Sequence, residues 1–142
     1  MTIAGGLYLI DTSAWARLRV PPVEKRLSAI LEAGAAATCL PLDLADGRSA
    51  RNFRDAMSIR ARRAQLMTDL PITAAVATRA HDIQLALTQR GHHRAASPVD
   101  VIAAAAAAEY GAIVLHYDRA FDLIADVGGP RCEWVAPPGT LP

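Results

Sequence analysis

Short apolar runs alternate with amphipathic segments along most of this chain. Four runs have the length and composition of strands: residues 7–10, 36–40, 113–116 and, as a late edge strand, 133–135. Six segments carry apolar residues at helical spacing: residues 14–19, 23–33, 43–52, 53–70, 75–90 and 119–126. Buried strands that alternate with helices predict a parallel sheet covered by helices on both faces.

The clearest helix signal is "SPVDVIAAAAAAEYG" at residues 97–111. Ser97 suits the N-cap, Pro98 the first helical position and Asp100 the third, while Gly111 stands where a helix ends. No linker or internal repeat divides the sequence. We therefore predict that residues 1–142 form a single domain, a three-layer α/β/α fold with a short, mainly parallel central sheet.

Composition indicates a globular protein, with 52% hydrophobic and 20% charged residues and a net charge of +1. That charge gives no overall field for nucleic acid or an anionic membrane. Cys39 and Cys132 fit no zinc spacing or disulfide framework, so we expect free thiols in a reducing compartment. The N-terminus does not resemble a signal peptide, and the longest apolar run, residues 101–108, is too short to span a bilayer. We expect a soluble, cytoplasmic protein.

Three aspartates are predicted to meet at one edge of the sheet. Asp11 ends the first strand, and Asp118 lies just past the strand at 113–116. Asp100 lies in the first turn of the helix that leads into that strand. Because this helix runs antiparallel to the strand, its N-terminus lies at the strand's carboxyl end, where α/β sheets bind ligands.

Each aspartate also has a structural explanation, since Asp is favoured at N-caps and in first turns. Three like charges repel one another, however, and a cation between them offsets that repulsion. Mg²⁺ or Mn²⁺ suits carboxylates, with water and phosphate oxygens completing the shell. The pattern favours metal-dependent phosphodiester hydrolysis. Asp122, one turn beyond Asp118, either joins this site or only favours the helix dipole.

Arginines provide candidate RNA contacts, because the forked guanidinium suits phosphate. The candidates are Arg62, grouped with Arg60 and Arg63 on or near the polar side of its helix, Arg94 before the Asp100 helix, and Arg119. Arginines on an exposed face also simply solvate it. His81 and His116 have no partners at a useful spacing, and we interpret them as structural.

With these residues in place, the chain resembles the PIN-domain ribonucleases, and within them the VapC-type toxins of actinobacterial, mycobacterial-style toxin–antitoxin pairs. The matching segments are "YLIDTSAWARL", "DLADGRSAR", "SPVDVIAAAAAAEYGAIVLHYDRAFDLIA" and "CEWV". The resemblance implies a PIN-like fold and Mg²⁺- or Mn²⁺-dependent cleavage of RNA of the tRNA or rRNA class. It also implies inhibition by a VapB-type antitoxin and pairing as a homodimer.

Residue by residue, the resemblance implies metal ligands at Asp11, Asp100 and Asp118, and a further catalytic acid at Asp122. Relatives with a similar segment read "DLE-x-G-x-SAR", and their glutamate, the fourth acid, falls on Ala45 here. A shifted alignment gives that role to Asp43 instead. Ala45 is either a natural loss or an engineered change.

Ala45 predicts a chain that folds normally and cleaves RNA poorly. The first alternative is a non-catalytic PIN-like protein that binds RNA or an antitoxin. A receiver-like signalling domain would also gather aspartates around Mg²⁺, but the first strand is followed by no adjacent acidic pair. A DNA nuclease would use the same chemistry.

Overall fold

The computed structural model describes residues 6–142, and a parallel sheet forms the centre of this part of the chain. Its five strands are β1 (Tyr8–Ile10), β2 (Ala36–Thr38), β3 (Thr68–Asp69), β4 (Ile113–His116) and β5 (Cys132–Trp134). Seven helices within residues 6–142 connect them: α1 (Thr12–Trp15), α2 (Pro21–Glu32), α3 (Leu40–Gly47), α4 (Phe53–Leu66), α5 (Ala74–Gln89), α6 (Pro98–Tyr110) and α7 (Ala120–Asp126). The predicted α/β class is confirmed.

Strand β1 lies in the middle of the sheet, whose order is β3-β2-β1-β4-β5. Leu9 pairs with Ala37 of β2 on one side and with Val114 of β4 on the other. The chain therefore builds outward from β1 in one direction and then crosses to β4 on the other side. Such a reversal of strand order opens a crevice at the carboxyl ends of the two strands. Asp11 and Asp118 follow β1 and β4 at that crevice.

The sheet has a core on each face, because successive strand side chains point to opposite sides. Leu9 and Val114 pack with α5, α6 and α7, whereas Ile10 and Leu115 pack with α2. Residues 103–107 of α6 are all fully buried alanines. Their small side chains let α6 lie close to the sheet. Because α6 runs antiparallel to β4, its N-terminus lies at the same edge as the end of β4.

The helices begin and end at capping residues, which in several cases differ from the boundaries predicted from the apolar pattern. Helix α2 begins at Pro21, two residues before the predicted start at 23, since the first helical position requires no N–H donor. Helix α1 spans Thr12–Trp15 rather than 14–19, because the Asp11 side chain caps it. Helix α3 begins at Leu40, three residues earlier than predicted. Helix α6 has the predicted capping box at its start and Gly111 in the left-handed conformation at its end.

Strand β3 was missed, and the predicted helix over 53–70 was too long at its C-terminal end. Helix α4 ends at Leu66, and Thr68–Asp69 pairs with β2. Both residues of β3 are exposed. A strand this short and exposed has no hydrophobic alternation by which sequence could reveal it.

Both cysteines are free thiols in the described part of the chain. Burial raises the pKa of Cys39 and of Cys132 to about 12, so both are protonated at neutral pH. None of the helices within residues 6–142 has the length and apolar character needed to cross a membrane.

Candidate active site

Asp11 is the buried centre of the acidic edge. Its Oδ2 accepts hydrogen bonds from the Ser13 N–H at 3.0 Å and the Ser13 hydroxyl at 2.5 Å. Only 2% of the residue is exposed, and its Oδ1 has no hydrogen-bond partner within residues 6–142. A buried carboxylate oxygen without a partner is costly. One oxygen therefore caps α1, and the other is free to bind a ligand.

Two further carboxylates act on Asp11 electrostatically. Burial raises the pKa of Asp11, the Ser13 hydrogen bonds lower it, and the charges of Asp100 and Asp118 raise it further. Burial also raises the pKa of Asp100, with an added contribution from Asp118. The structure thus brings Asp11, Asp100 and Asp118 within electrostatic range of one another, across β1, α6 and the end of β4.

Asp100 and Asp118 each make a contact at a helix N-terminus. Asp100 accepts a hydrogen bond from the Ser97 N–H at 2.9 Å, and its own N–H donates to the Ser97 hydroxyl at 3.1 Å. Asp118 Oδ1 accepts a hydrogen bond from the Ala120 N–H at 2.9 Å. These contacts orient both side chains and leave carboxylate lone pairs available for other partners.

Carboxylate oxygens are the ligands that Mg²⁺ and Mn²⁺ prefer, and the free Oδ1 of Asp11 fits such an ion. Within residues 6–142, however, no three histidine, cysteine or acidic side chains are close enough to enclose a metal by themselves. Hard divalent ions keep several water ligands, so direct contact with all three aspartates is not required. The donor set fits an ion held partly through water.

Asp122 turns towards β5 and is already hydrogen-bonded. Its Oδ1 accepts a hydrogen bond from the Trp134 indole N–H at 3.0 Å, which joins α7 to β5. Burial lowers the pKa of His116, and the charge of Asp122 opposes that shift. Asp122 thus contacts the Trp134 side of the fold, while the other three aspartates act on one another.

Ala45 lies on α3, between two acids that are both paired with Arg63. The Arg63 Nε donates to Asp43 at 2.7 Å, and Nη1 donates to Asp46 at 3.1 Å. Thr38 accepts from Arg63 Nη2 at 2.9 Å and donates to Asp43 at 2.7 Å. Asp43 is therefore committed to an internal ion pair, which argues against its serving as the fourth acid.

Of the arginines, Arg63 is the one whose predicted surface position was wrong, since it is 3% exposed. The candidates Arg62, Arg94 and Arg119 are exposed. The Arg119 guanidinium lies 6.0 Å from the centre of the Trp134 ring.

The sequence interpretation missed Ser13 and Arg17. The Ser13 hydroxyl connects Asp11 to the loop before Asp118, since it also accepts the Tyr117 N–H at 2.9 Å. Arg17 lies 4.6 Å from the centre of the Tyr117 ring and donates to the Ser13 carbonyl at 2.7 Å. The position of Ser13 two residues after Asp11 was the available signal. Nothing local marked Arg17.

Solved structures of toxin–antitoxin proteins share this fold. A chain of the DNA-bound VapBC from Salmonella typhimurium has a TM-score of 0.72 and 12% identity, covering 92% of this chain and 99% of that one. VapBC-5 from Mycobacterium tuberculosis has a TM-score of 0.60 and 21% identity, covering 91% of this chain and 97% of that one. VapC20 from M. tuberculosis, a sarcin–ricin loop cleaving toxin, has a TM-score of 0.59 and 20% identity, covering 81% of this chain and 92% of that one. The protein has the PIN-domain fold.

Sequence relatives define the family more closely. The ribonucleases VapC21 and VapC51 of M. tuberculosis are 39% identical over 133 residues and 42% identical over 135 residues, each match covering 94% of this chain and 96% of the relative. VapC18 of the same organism is 34% identical over 137 residues, covering 95% and 99%. No protein-family model matches the chain. The chain belongs to the VapC ribonucleases.

Proposed function

We propose that this protein is a Mg²⁺- or Mn²⁺-dependent endoribonuclease toxin that acts in the cytoplasm, with residues 1–142 as one domain. The observation that carries the proposal is Asp11. Its buried carboxylate has one oxygen without a partner and two like-charged neighbours, Asp100 and Asp118. That arrangement costs free energy in the absence of a cation, and it occupies the edge where α/β sheets bind ligands.

Asp11, Asp100 and Asp118 are the residues that would hold the ion. When bound, a divalent cation supplies a more acidic water and stabilises charge on the phosphate. Ser13 orients Asp11 by binding Oδ2, so that Oδ1 remains available. The Ala120 N–H orients Asp118 in the same way. We assign Asp122 to the further acidic position in the site, although its Oδ1 is hydrogen-bonded to Trp134.

RNA of the tRNA or rRNA class is the proposed substrate, and exposed arginines supply its phosphate contacts. Arg119 directly follows Asp118, and Arg62 and Arg94 lie on other exposed segments. Contacts of this kind position a nucleic acid without reading its sequence. The names of the ribonuclease relatives and the loop-cleaving activity stated for VapC20 support an RNA substrate.

A VapB-type antitoxin is the proposed inhibitor, and its binding surface includes the groove between α3 and α4. This groove has a volume of about 560 Å³ and is lined by Leu40, Leu44 and Ile59, with Arg48 and Arg60 among its charged residues. Leu40 and Leu44 are 55% and 64% exposed. A large exposed apolar patch marks an interaction surface. The VapBC complexes with the same fold support this partner, and we expect the toxin to pair as a homodimer.

Ala45 is proposed to stand where active relatives carry a glutamate, so this chain cleaves slowly. The pairing of both Asp43 and Asp46 with Arg63 supports that view, because neither neighbour is free to replace the missing acid. The same observation favours a second candidate function, a non-catalytic PIN-like protein that binds RNA or an antitoxin.

Mn²⁺-dependent cleavage of a structured RNA pool tests both candidates. The parent chain and Ala45→Glu are compared, with Asp11→Asn as the blank. Faster cleavage by Ala45→Glu, lost again when Asp11→Asn is added, supports the nuclease proposal. If every folded variant is inert but the parent still binds RNA or an antitoxin, the non-catalytic candidate replaces it.

A further inference from the structure

We propose that His116 is a positioning residue, whose ring nitrogen Nδ1 holds the backbone of Asp118 and thereby sets where the Asp118 carboxylate stands. The inference rests on the proposed function of the acidic edge. It concerns a side chain that does not touch the substrate and acts through Asp118.

The hydrogen bond defines the state of the ring. Asp118 donates its backbone N–H to His116 Nδ1 at 3.1 Å. A nitrogen that accepts a hydrogen bond carries no proton, so the neutral ring bears its proton on Nε2. His116 is fully buried between Phe121 and Trp134, with ring centres 5.0 and 4.9 Å away.

A packing role alone does not account for a histidine here. The Nε2 atom is buried and has no hydrogen-bond partner within residues 6–142. An unsatisfied buried donor lowers stability, and an aliphatic side chain would fill the space without that penalty. What the imidazole adds is an acceptor directed at the Asp118 N–H.

The surrounding contacts show why this acceptor matters. The Tyr117 N–H donates to the Ser13 hydroxyl at 2.9 Å, and the Ala120 N–H donates to Asp118 Oδ1 at 2.9 Å. Side chains therefore accept the N–H groups of Tyr117, Asp118 and Ala120. Without His116, the Asp118 backbone N–H loses its link to the end of β4, and the Tyr117 N–H remains the group that joins this loop to Ser13.

Two substitutions separate acceptance from packing. In His116→Asn, the amide oxygen is two bonds from Cβ, as Nδ1 is in histidine, and can accept the Asp118 N–H. His116→Leu fills the space with apolar atoms but accepts nothing. Both lose the aromatic contacts with Phe121 and Trp134. If packing alone matters, leucine is the better replacement, because asparagine buries an amide.

The experiment uses the full chain and Mn²⁺ alone as the probe. Amide hydrogen exchange is followed at Asp118, with the Tyr117 amide as internal control, and Mn²⁺ affinity is measured by calorimetry. For His116→Leu we expect about tenfold faster exchange at Asp118 and about tenfold weaker Mn²⁺ binding, the loss typical when a group that orients a metal ligand is removed. For His116→Asn both values stay within about twofold of the parent, since the acceptor is kept.

The inference is overturned if His116→Leu matches the parent in Asp118 amide exchange and Mn²⁺ affinity. It is also overturned if His116→Asn binds Mn²⁺ more weakly than His116→Leu does. His116→Phe, which keeps an aromatic ring and no acceptor, replaces the leucine variant if that one does not fold. A parent chain that binds no Mn²⁺ overturns the proposed metal site and this inference together. That outcome is recognised from the parent alone.

Discussion

Arg63 Nε and Asp43 Oδ1 lie 2.7 Å apart, and this ion pair joins α4 to α3 beside the sheet. The Arg63 side chain is 4% exposed, whereas that of Asp43 is 37% exposed. Asp46 shares the same guanidinium at 3.1 Å. Arg63 is thus a desolvated cation, whereas water still reaches Asp43 and Asp46. The charge of Arg63 therefore needs these hydrogen bonds more than the charges of the two acids do, because water can solvate the acids.

Replacing Arg63 by methionine leaves Asp43 and Asp46 close together without a counter-charge. We expect the free energy of unfolding to fall by about 2 kcal/mol, below the range for fully buried pairs because water reaches the acids. Urea unfolding measures the loss. Arg62→Met, on the exposed neighbour, is the matched control and should change stability by less than about 0.5 kcal/mol. Equal effects of the two substitutions would contradict a structural role for the Arg63 network.

Asp11→Asn should stabilise the protein while it abolishes cleavage. Burial and the neighbouring acids raise the pKa of Asp11 in the folded state above its unfolded value of 3.8. The folded state therefore binds the proton more tightly, and ionisation of Asp11 costs stability as pH rises from 3.8 through the folded pKa. Asparagine removes that charge and can still accept hydrogen bonds from Ser13.

We expect the stability gain from Asp11→Asn to be on the order of 1 kcal/mol at neutral pH and to vanish at acid pH, where the aspartate is protonated. Thermal unfolding across pH measures it. Mn²⁺ should stabilise the parent and have little effect on the variant. An Asp11→Asn protein that is less stable than the parent at neutral pH would show that the carboxylate charge is not the destabilising feature.

Ala45→Glu should lower metal-free stability and increase the stabilisation given by Mn²⁺. A fourth carboxylate adds repulsion when no cation is present and a ligand when one is. The expected loss without metal is about 0.5–1 kcal/mol, typical for a substitution on a half-buried helix face. Ala45→Gln, with the same shape and no charge, is the control. If glutamine and glutamate respond equally to Mn²⁺, position 45 does not face the metal.

Arg119→Ala should weaken RNA binding to a similar degree for different sequences. Loss of one phosphate contact lowers the salt dependence of log K by about one unit of slope. Binding is measured across salt concentrations in the Asp11→Asn background, so that the RNA stays intact. Arg79→Ala is the control, because Arg79 pairs with Glu109 near the C-terminal end of α6, at the opposite edge of the sheet. Equal losses from both substitutions would indicate general electrostatics rather than a contact at the site.

His116 illustrates where prediction from sequence reached its limit. The sequence places no partner for metal binding or catalysis at a useful spacing from His116, so the sequence alone predicts a structural role for it. Its burial agrees with that interpretation, but its hydrogen bond to the Asp118 N–H became visible only in the structure. Arg63 is a second case, since its helical neighbours are mostly exposed and its partners on α3 and β2 explain its burial.

The sequence by itself determined the features that depend on a few neighbouring residues. Capping residues defined α6, because backbone preferences act within a turn or two. The ends of two strands and the start of α6 then predicted Asp11, Asp118 and Asp100 at one edge of the sheet. Tertiary structure decided which acids are already paired. Asp122 bonds to Trp134 twelve positions away, and Asp43 to Arg63 twenty positions away. Such contacts depend on how whole elements pack, which no local pattern encodes.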